Sequence, residues 1–243
     1  MTPATLRALA QAREERRLAI LFTRLPDGMQ HLLVERQGVL SPFEPTQAVL
    51  DPILQDAARQ AAETGRSGAI EMNGASWFAH VHAPQPRLIL VGAVHVAQAI
   101  APLAAAVGMA VIVVDPRGGF ATPERFPGLT LMELWPDEAL AMLVPDRHSA
   151  IVTLSHEARL DDPALDAALS GPAFYVGALG SRRTQAARRE RLAALGHDAA
   201  ALARLHGPVG LAIGAVGPAE IALSILAEIV AVRRGAPSAS TAR

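Results

Sequence analysis

The chain of 243 residues contains no cysteine. That absence excludes disulfides, thiolate metal sites, cysteine nucleophiles and any sulfur relay through a protein thiol. It agrees with a reducing cytoplasm. A surplus of charge is missing too: 22 basic against 23 acidic residues leave a formal net charge of −1. Bulk electrostatics therefore give no attraction to nucleic acid or to an anionic membrane. Long apolar runs are also lacking. Pro, Gly or charge interrupts each one well short of the roughly 18 residues of a membrane span, and residues 1–17 are polar and arginine-bearing, without the apolar core of a signal peptide. A soluble, cytoplasmic protein with neither nucleic-acid nor membrane partners is the expectation. Aromatics amount to 4%, with a single tyrosine, Tyr175. No catalytic tyrosine–lysine or histidine–aspartate constellation is visible, and no catalytic residue is assigned.

What is present is apolar: 51% hydrophobic residues and 19% charged ones can build a sizeable core. Residues 6–17 read as an amphipathic helix, 18–23 and 31–34 as strands around a Pro-Asp-Gly turn, and 45–64 as a second helix. A further hairpin, 69–72 with 77–81, turns near Asn73-Gly74. This predicts a small α+β domain over residues 1–83. Ala83-Pro84-Gln85-Pro86 is a stiff linker.

Beyond the linker, apolar runs at 87–91, 109–114, 129–133, 149–154 and 173–176 alternate with helical patterns. That alternation predicts an α/β domain with a parallel sheet over 84–235, followed by a disordered tail at 236–243. Its first strand runs into Gly92-Ala93-Val94-His95-Val96-Ala97. A dinucleotide fingerprint has glycine, glycine and glycine or alanine at positions one, three and six. Gly92 and Ala97 fit, whereas Val94 stands where the second glycine lets backbone approach a pyrophosphate. Asp115 follows Gly92 by 23 residues at the end of the next strand, where a carboxylate accepts hydrogen bonds from a ribose diol. The loop is read as a nucleotide site, or as a degenerate one in a doubly wound domain. His95 is a phosphate or substrate contact, or a solvent-facing loop residue.

The second segment is Tyr175-Val176-Gly177-Ala178-Leu179-Gly180-Ser181-Arg182-Arg183. Ser181 is placed to cap a helix whose first turn carries two arginines. Cations oppose the dipole there unless an anion docks on the free N–H groups. Arg182 and Arg183 are therefore read as binding a phosphorylated ligand or an acidic partner, while Arg188, Arg189 and Arg191 are read as a solvated helix face. His156, after the strand 149–154, is read as a binding residue rather than a catalytic one. His80 and His82 share a strand face, but without further ligands nearby no metal site is assigned. Pro218 opens a last helix whose Ile221, Ile225 and Ile229 repeat at i, i+4, as expected for a core helix.

Taken together these blocks resemble the XdhC/CoxI family of molybdenum-hydroxylase accessory proteins. The resemblance rests on 92–98, 113–117 (Val-Val-Asp-Pro-Arg), 120–127, 153–156 with 160–165, 175–183, 206–211 with 213–215, 218–221 and 227–230. It implies a Rossmann C-terminal domain and a role in maturing an enzyme such as xanthine dehydrogenase or carbon monoxide dehydrogenase. The implied cofactor is the molybdenum cofactor, held transiently, or an NAD-like nucleotide. The implied partners are the hydroxylase apoenzyme and a cofactor sulfurtransferase; a homodimer is expected from the apolar helices. Cofactor-binding candidates are Gly92, Ala93, Val94, His95, Asp115, Arg117, His156, Gly177, Gly180, Ser181, Arg182 and Arg183. Two departures stand out: Val94 where many relatives have glycine, and Ala212 where many have aspartate. The N-terminal domain is also shorter than in many relatives. Competing readings are an NAD(P)-dependent oxidoreductase and a nucleotide-sensing scaffold with a weakened site.

Overall fold

The computed structural model describes residues 1–43 and 52–236. The chain divides into two compact units, Met1–Pro84 and Gln85–Arg243. Residues 45–51 of the expected second helix and 237–243 of the expected tail lie outside the described residues.

The first unit starts with α1 (Pro3–Glu14), three residues earlier than the periodicity predicts. Thr2 explains the shift: its side chain accepts from the Thr5 N–H, and Pro3 occupies the first turn. Strands β1 (Ala19–Arg24), β2 (Gln30–Arg36) and β3 (Val39–Pro42) follow, then α2 (Pro52–Thr64), β4 (Gly68–Met72) and β5 (Ala75–His82). They form an antiparallel sheet in the order β3-β2-β1-β5-β4. Central β1 is apolar on both faces. Ile20 and Phe22 pack with Leu54, Ala58 and Ala61 of α2, while Ala19 and Leu21 pack with Ala8 and Ala12 of α1. The turn at Asn73-Gly74 has both residues at positive φ, 51° and 72°, as a two-residue hairpin requires. Gln37-Gly38 makes the same kind of turn into β3 (φ 50° and 80°), a strand too short to announce itself by alternation.

The second unit contains β6 (Arg87–Val91), α3 (His95–Ala106), β7 (Ala110–Val114), β8 (Thr130–Met132), α4 (Pro136–Leu143), β9 (Ser149–Thr153), α5 (Ala158–Ser170), β10 (Tyr175–Ala178), α6 (Arg182–Ala194), α7 (Ala199–Ala203), β11 (Leu205–His206) and α8 (Pro218–Arg233). All strand pairs are parallel, in the order β11-β10-β9-β6-β7-β8. Counted within this unit, that is the nucleotide-binding order 3-2-1-4-5-6. Every residue of β6 and β9 is buried, because helices cover both faces. α3 and α8 pack on one face through Ala97, Ile100, Ala104, Ile225 and Ile229. Ala139 and Leu140 of α4, Ala164 and Leu165 of α5, and Leu192 of α6 pack on the other. Gly108, at φ 79°, follows the last turn of α3 as its left-handed terminator. The register sets Val91 opposite both Val114 and Thr153, and Thr153 opposite Ala178. The carboxyl ends of four strands thus share one edge, from which every candidate loop departs. Among the described residues no helix is long and apolar enough to cross a membrane.

Candidate functional site

The strand order reverses between β6 and β9, and in open parallel sheets ligands bind outside the carboxyl ends of the strands at such a reversal. The loop after β6 begins at Gly92, φ 104°, whose N–H donates to the Val114 carbonyl at 2.9 Å. A Cβ at Gly92 would sit 3.0 Å from the Ser155 nitrogen and 3.1 Å from its Cβ. The loops after β6 and β9 therefore touch, and only glycine permits both this conformation and this approach. Val94 caps α3 by backbone alone and rests half-buried against the α3–α8 cluster. His95 is exposed on the first turn of α3, and His156 is exposed in left-handed backbone at φ 62°.

Asp115 is fully buried. Its Oδ2 accepts from the Ala93 N–H at 2.8 Å and from Arg117 Nη2 at 2.7 Å. Its Oδ1 accepts from the Arg117 N–H at 3.0 Å and from Arg117 Nε at 2.9 Å. Burial pushes this carboxyl up, but the Arg117 guanidinium and the two backbone N–H donors outweigh it and hold it below the ordinary range. Arg117 continues to Glu157 Oε1 at 2.6 Å and lies 4.1 Å over the Phe120 ring. A carboxylate offers about four acceptor sites, and all four of Asp115 are taken. The expected hydrogen bonds to a ribose diol have nowhere to form while Arg117 stays in place. The expected ligand contact of Arg117 is likewise displaced by its double ion pair. Ala93, Asp115, Arg117 and Glu157 instead fasten the loops after β6, β7 and β9 to one another.

The region after β10 is built differently. Ser181 caps α6, its hydroxyl accepting from the Thr184 N–H at 3.2 Å. Gly180, at φ 139°, lets the chain turn into that cap. Arg182 and Arg183 are exposed, and among the described residues neither forms an ion pair. Gly177 is buried; a Cβ there would meet Val209 Cγ2 at 2.7 Å and Tyr175 Cε1 at 2.8 Å. It serves strand packing, contrary to the expected cofactor contact.

The remaining arginines of α6 correct the reading of a solvated face in part: Arg191 is exposed, whereas Arg188 is buried and Arg189 half-buried. Arg188 is 2% exposed; it donates to Asp161 Oδ2 and Gln185 Oε1, each at 2.8 Å. Ser155 donates to the other oxygen of Asp161 at 2.7 Å. Arg189 ties down the Leu202 and Leu205 carbonyls, and Arg191 makes a forked pair with Asp162. The guanidinium fork reaches backbone and carboxylate from a helix that sequence periodicity reads as polar all round.

One cluster escaped the sequence reading. Glu228, buried in α8, accepts from the Tyr175 hydroxyl at 2.5 Å and the Gly210 N–H at 2.8 Å, and lies 3.4 Å from His206 Nδ1. A lone acid inside the apolar repeat Ile225-Leu226-Ala227-Glu228-Ile229 was its available signal. In the first unit, the His80 and His82 rings lie 4.1 Å apart, and burial, then the neighbouring His80 charge, holds His82 below its ordinary range. Among the described residues no cluster of three or more metal-ligating side chains is found.

Comparison with known proteins places this geometry. Three curated relatives match: the uncharacterized protein YqeB of Escherichia coli K12, 39% identical over 67% of this chain and 30% of its own length; a probable xanthine dehydrogenase subunit of Bacillus subtilis, 38% over 62% and 44%; and the molybdenum cofactor insertion chaperone PaoD of Escherichia coli K12, 34% over 62% and 41%. The chain spans less than half the length of each of them. A crystal structure of a xanthine dehydrogenase from Bacillus halodurans superposes with a TM-score of 0.69 at 22% identity, covering 95% of this chain and 66% of that one; it supports the fold. The family model of the XdhC Rossmann domain matches residues 88–229, more than half of the chain and all of the parallel sheet but its first residue, Arg87. The chain belongs to the XdhC Rossmann domain family.

Proposed function

We propose that this protein is a maturation factor for a molybdenum hydroxylase, holding the pterin molybdenum cofactor at the carboxyl edge of its parallel sheet for delivery to the apoenzyme. The observation that carries the reading is the exposed positive corner at Gly180–Arg183, where neither arginine forms an ion pair among the described residues, in a chain similar to a molybdenum cofactor insertion chaperone. The fit is local. The first N–H groups of α6 and two exposed guanidinium groups suit a phosphate, with no carboxylate competing among the described residues. When bound, the cofactor supplies the molybdenum chemistry; the chain's own task is to bind, orient and release. Without cysteine, sulfur does not pass through this chain, and the sulfuration step falls to a separate sulfurtransferase.

An adenine dinucleotide fits less well. Asp115 has no lone pair left for its ribose, and Val94 stands where its pyrophosphate needs bare backbone. This weighs against the oxidoreductase reading and for cofactor insertion.

The test is transfer. Molybdenum cofactor freed by heat from a purified molybdoenzyme is mixed with this protein and offered to a cofactor-free hydroxylase. Activation faster than with free cofactor is expected, together with a bound pterin in native mass spectrometry. The double variant R182A/R183A should lose roughly ten- to a hundredfold in cofactor affinity. Retention of NADH with no retention of pterin would overturn the proposal. The same spectra report whether the protein is a homodimer.

A further inference from the structure

The Tyr175–His206–Glu228 cluster plays no part in the phosphate corner, yet it stands at the same edge. His206 is the last residue of β11 and pairs with Gly177 of β10, just before the Gly180 turn. Its ring stacks on Tyr175 with centroids 4.4 Å apart and planes inclined by 23°. Its Nδ1 faces Glu228 Oε1 at 3.4 Å. Burial pushes Glu228 up, but His206, the Tyr175 hydroxyl and the Gly210 N–H outweigh that and hold it below the ordinary carboxylate range, so it is an anion near neutrality. In the neutral form of an imidazole, a carboxylate beside one nitrogen favours the proton there and leaves the lone pair on the other.

The surroundings cannot slide. A Cβ at Gly207 would fall 2.5 Å from Gln185 Oε1, and one at Gly210 would fall 2.5 Å from Ser224 Oγ. The ring is thus stacked on Tyr175 and turned with Nδ1 toward Glu228. The His206 side chain keeps 28% of its surface exposed. It therefore reaches solvent at the carboxyl edge. The titratable groups found against the ring are Tyr175 from β10 and Glu228 from α8.

We propose that His206 is a ligand-binding residue, positioned by Glu228 and Tyr175, whose Nε2 accepts a hydrogen bond from a ring N–H or O–H of a phosphorylated heterocycle. The proposal rests on the reading above that a phosphorylated cofactor occupies this edge. Arg182 and Arg183 take the anionic end of such a molecule, and His206 takes its ring.

The experiment combines nitrogen-15 NMR of labelled histidines with binding of heat-released molybdenum cofactor and, as a separate probe, inorganic phosphate, at pH 6 to 8. In the unmodified protein, His206 is expected in the Nδ1–H tautomer and its resonances move when cofactor, but not phosphate, is added. E228Q should mix the tautomers. H206Q and E228Q should each weaken cofactor binding roughly tenfold, the worth of one hydrogen bond to a fixed partner, and change its pH dependence, while phosphate binding stays as before. If H206Q fails to fold, the tautomer and the cofactor-induced shift in the unmodified protein still decide. Cofactor binding by H206Q equal to that of the unmodified protein, alongside loss in R182A/R183A, would overturn this inference and leave the maturation role standing. Absence of cofactor binding by the unmodified protein would remove both.

Discussion

Two corners of one sheet edge differ in how far their charges are satisfied. At the β6–β9 reversal, where a nucleotide-binding fold ordinarily takes its ligand, Asp115, Arg117 and Glu157 satisfy one another and Gly92 lies against Ser155. Two strands away, at the start of α6, the cap is made but Arg182 and Arg183 have no carboxylate among the described residues. The difference shows that strand order fixes where a ligand-binding edge lies without fixing which loop along it remains free to bind. The sequence placed the same kind of expectation on both corners; the second keeps two exposed guanidinium groups with no ion pair among the described residues.

Deleting a charge in each region should break or sharpen this contrast. The largest effect is expected beneath both corners, at the buried Asp161–Arg188 pair. R188A leaves an unpaired buried carboxylate and should cost about 3–5 kcal/mol in urea unfolding, whereas the double change R188M/D161L should recover most of it. If R188A and the double variant unfold alike, the pair is not what holds Ser155 and α6 in place. Next, R117A strips Asp115 of its guanidinium and should cost about 2–3 kcal/mol. R182A/R183A should stay within about 0.5 kcal/mol of the parent, as for exposed side chains without partners. Equal losses in these two variants would erase the distinction between a closed and an open corner.

G92A should cost roughly 2 kcal/mol by thermal unfolding, since it forces a Cβ against Ser155 at a positive φ. A neutral result would mean that the two loops can part. V94G should cost about 1 kcal/mol through the lost burial of a half-buried side chain, and it should not confer NADH binding, because Asp115 remains occupied. NADH affinity gained by V94G alone, read by fluorescence titration, would show that the valine and not the arginine closes the crevice.

A pH effect follows from Asp115. Its native carboxyl lies below the ordinary range, so the unfolded chain binds more protons through that window. Stability therefore rises with pH up to the ordinary carboxylate value, is fully present above it, and is lost as pH falls through the native value. Asp161, pushed up by burial, has the opposite slope just above the ordinary range. D115N should flatten the acid limb of urea midpoints measured between pH 3 and pH 7. An unchanged acid limb would mean that the carboxyl does not depend on its partners.

Much of the fold was legible. The apolar runs at 87–91 and 149–154 gave β6 and β9 almost residue for residue, because the middles of strands buried on both faces are apolar, with Arg87, Ser149 and Thr153 confined to the strand ends. Ser181 and Pro218 marked their helix starts through local capping chemistry. The short elements β3, α7 and β11 went unread, since a few residues carry no period. The glycine fingerprint was legible as a turn, and Gly92 does hold left-handed backbone there. Whether a carboxylate at the end of β7 is free depends on an arginine two residues on and a glutamate 42 residues away.

By itself the sequence determined a doubly wound domain, the edge on which its loops gather and the absence of thiol chemistry, because burial patterns, caps and residue identity are local properties. Only the tertiary structure decided that Asp115 is spent, that Arg188 belongs to the core and that His206 is aimed by Glu228. A charged group's role is set by which opposite charge the fold brings within hydrogen-bond reach, and that distance is not written in chain order.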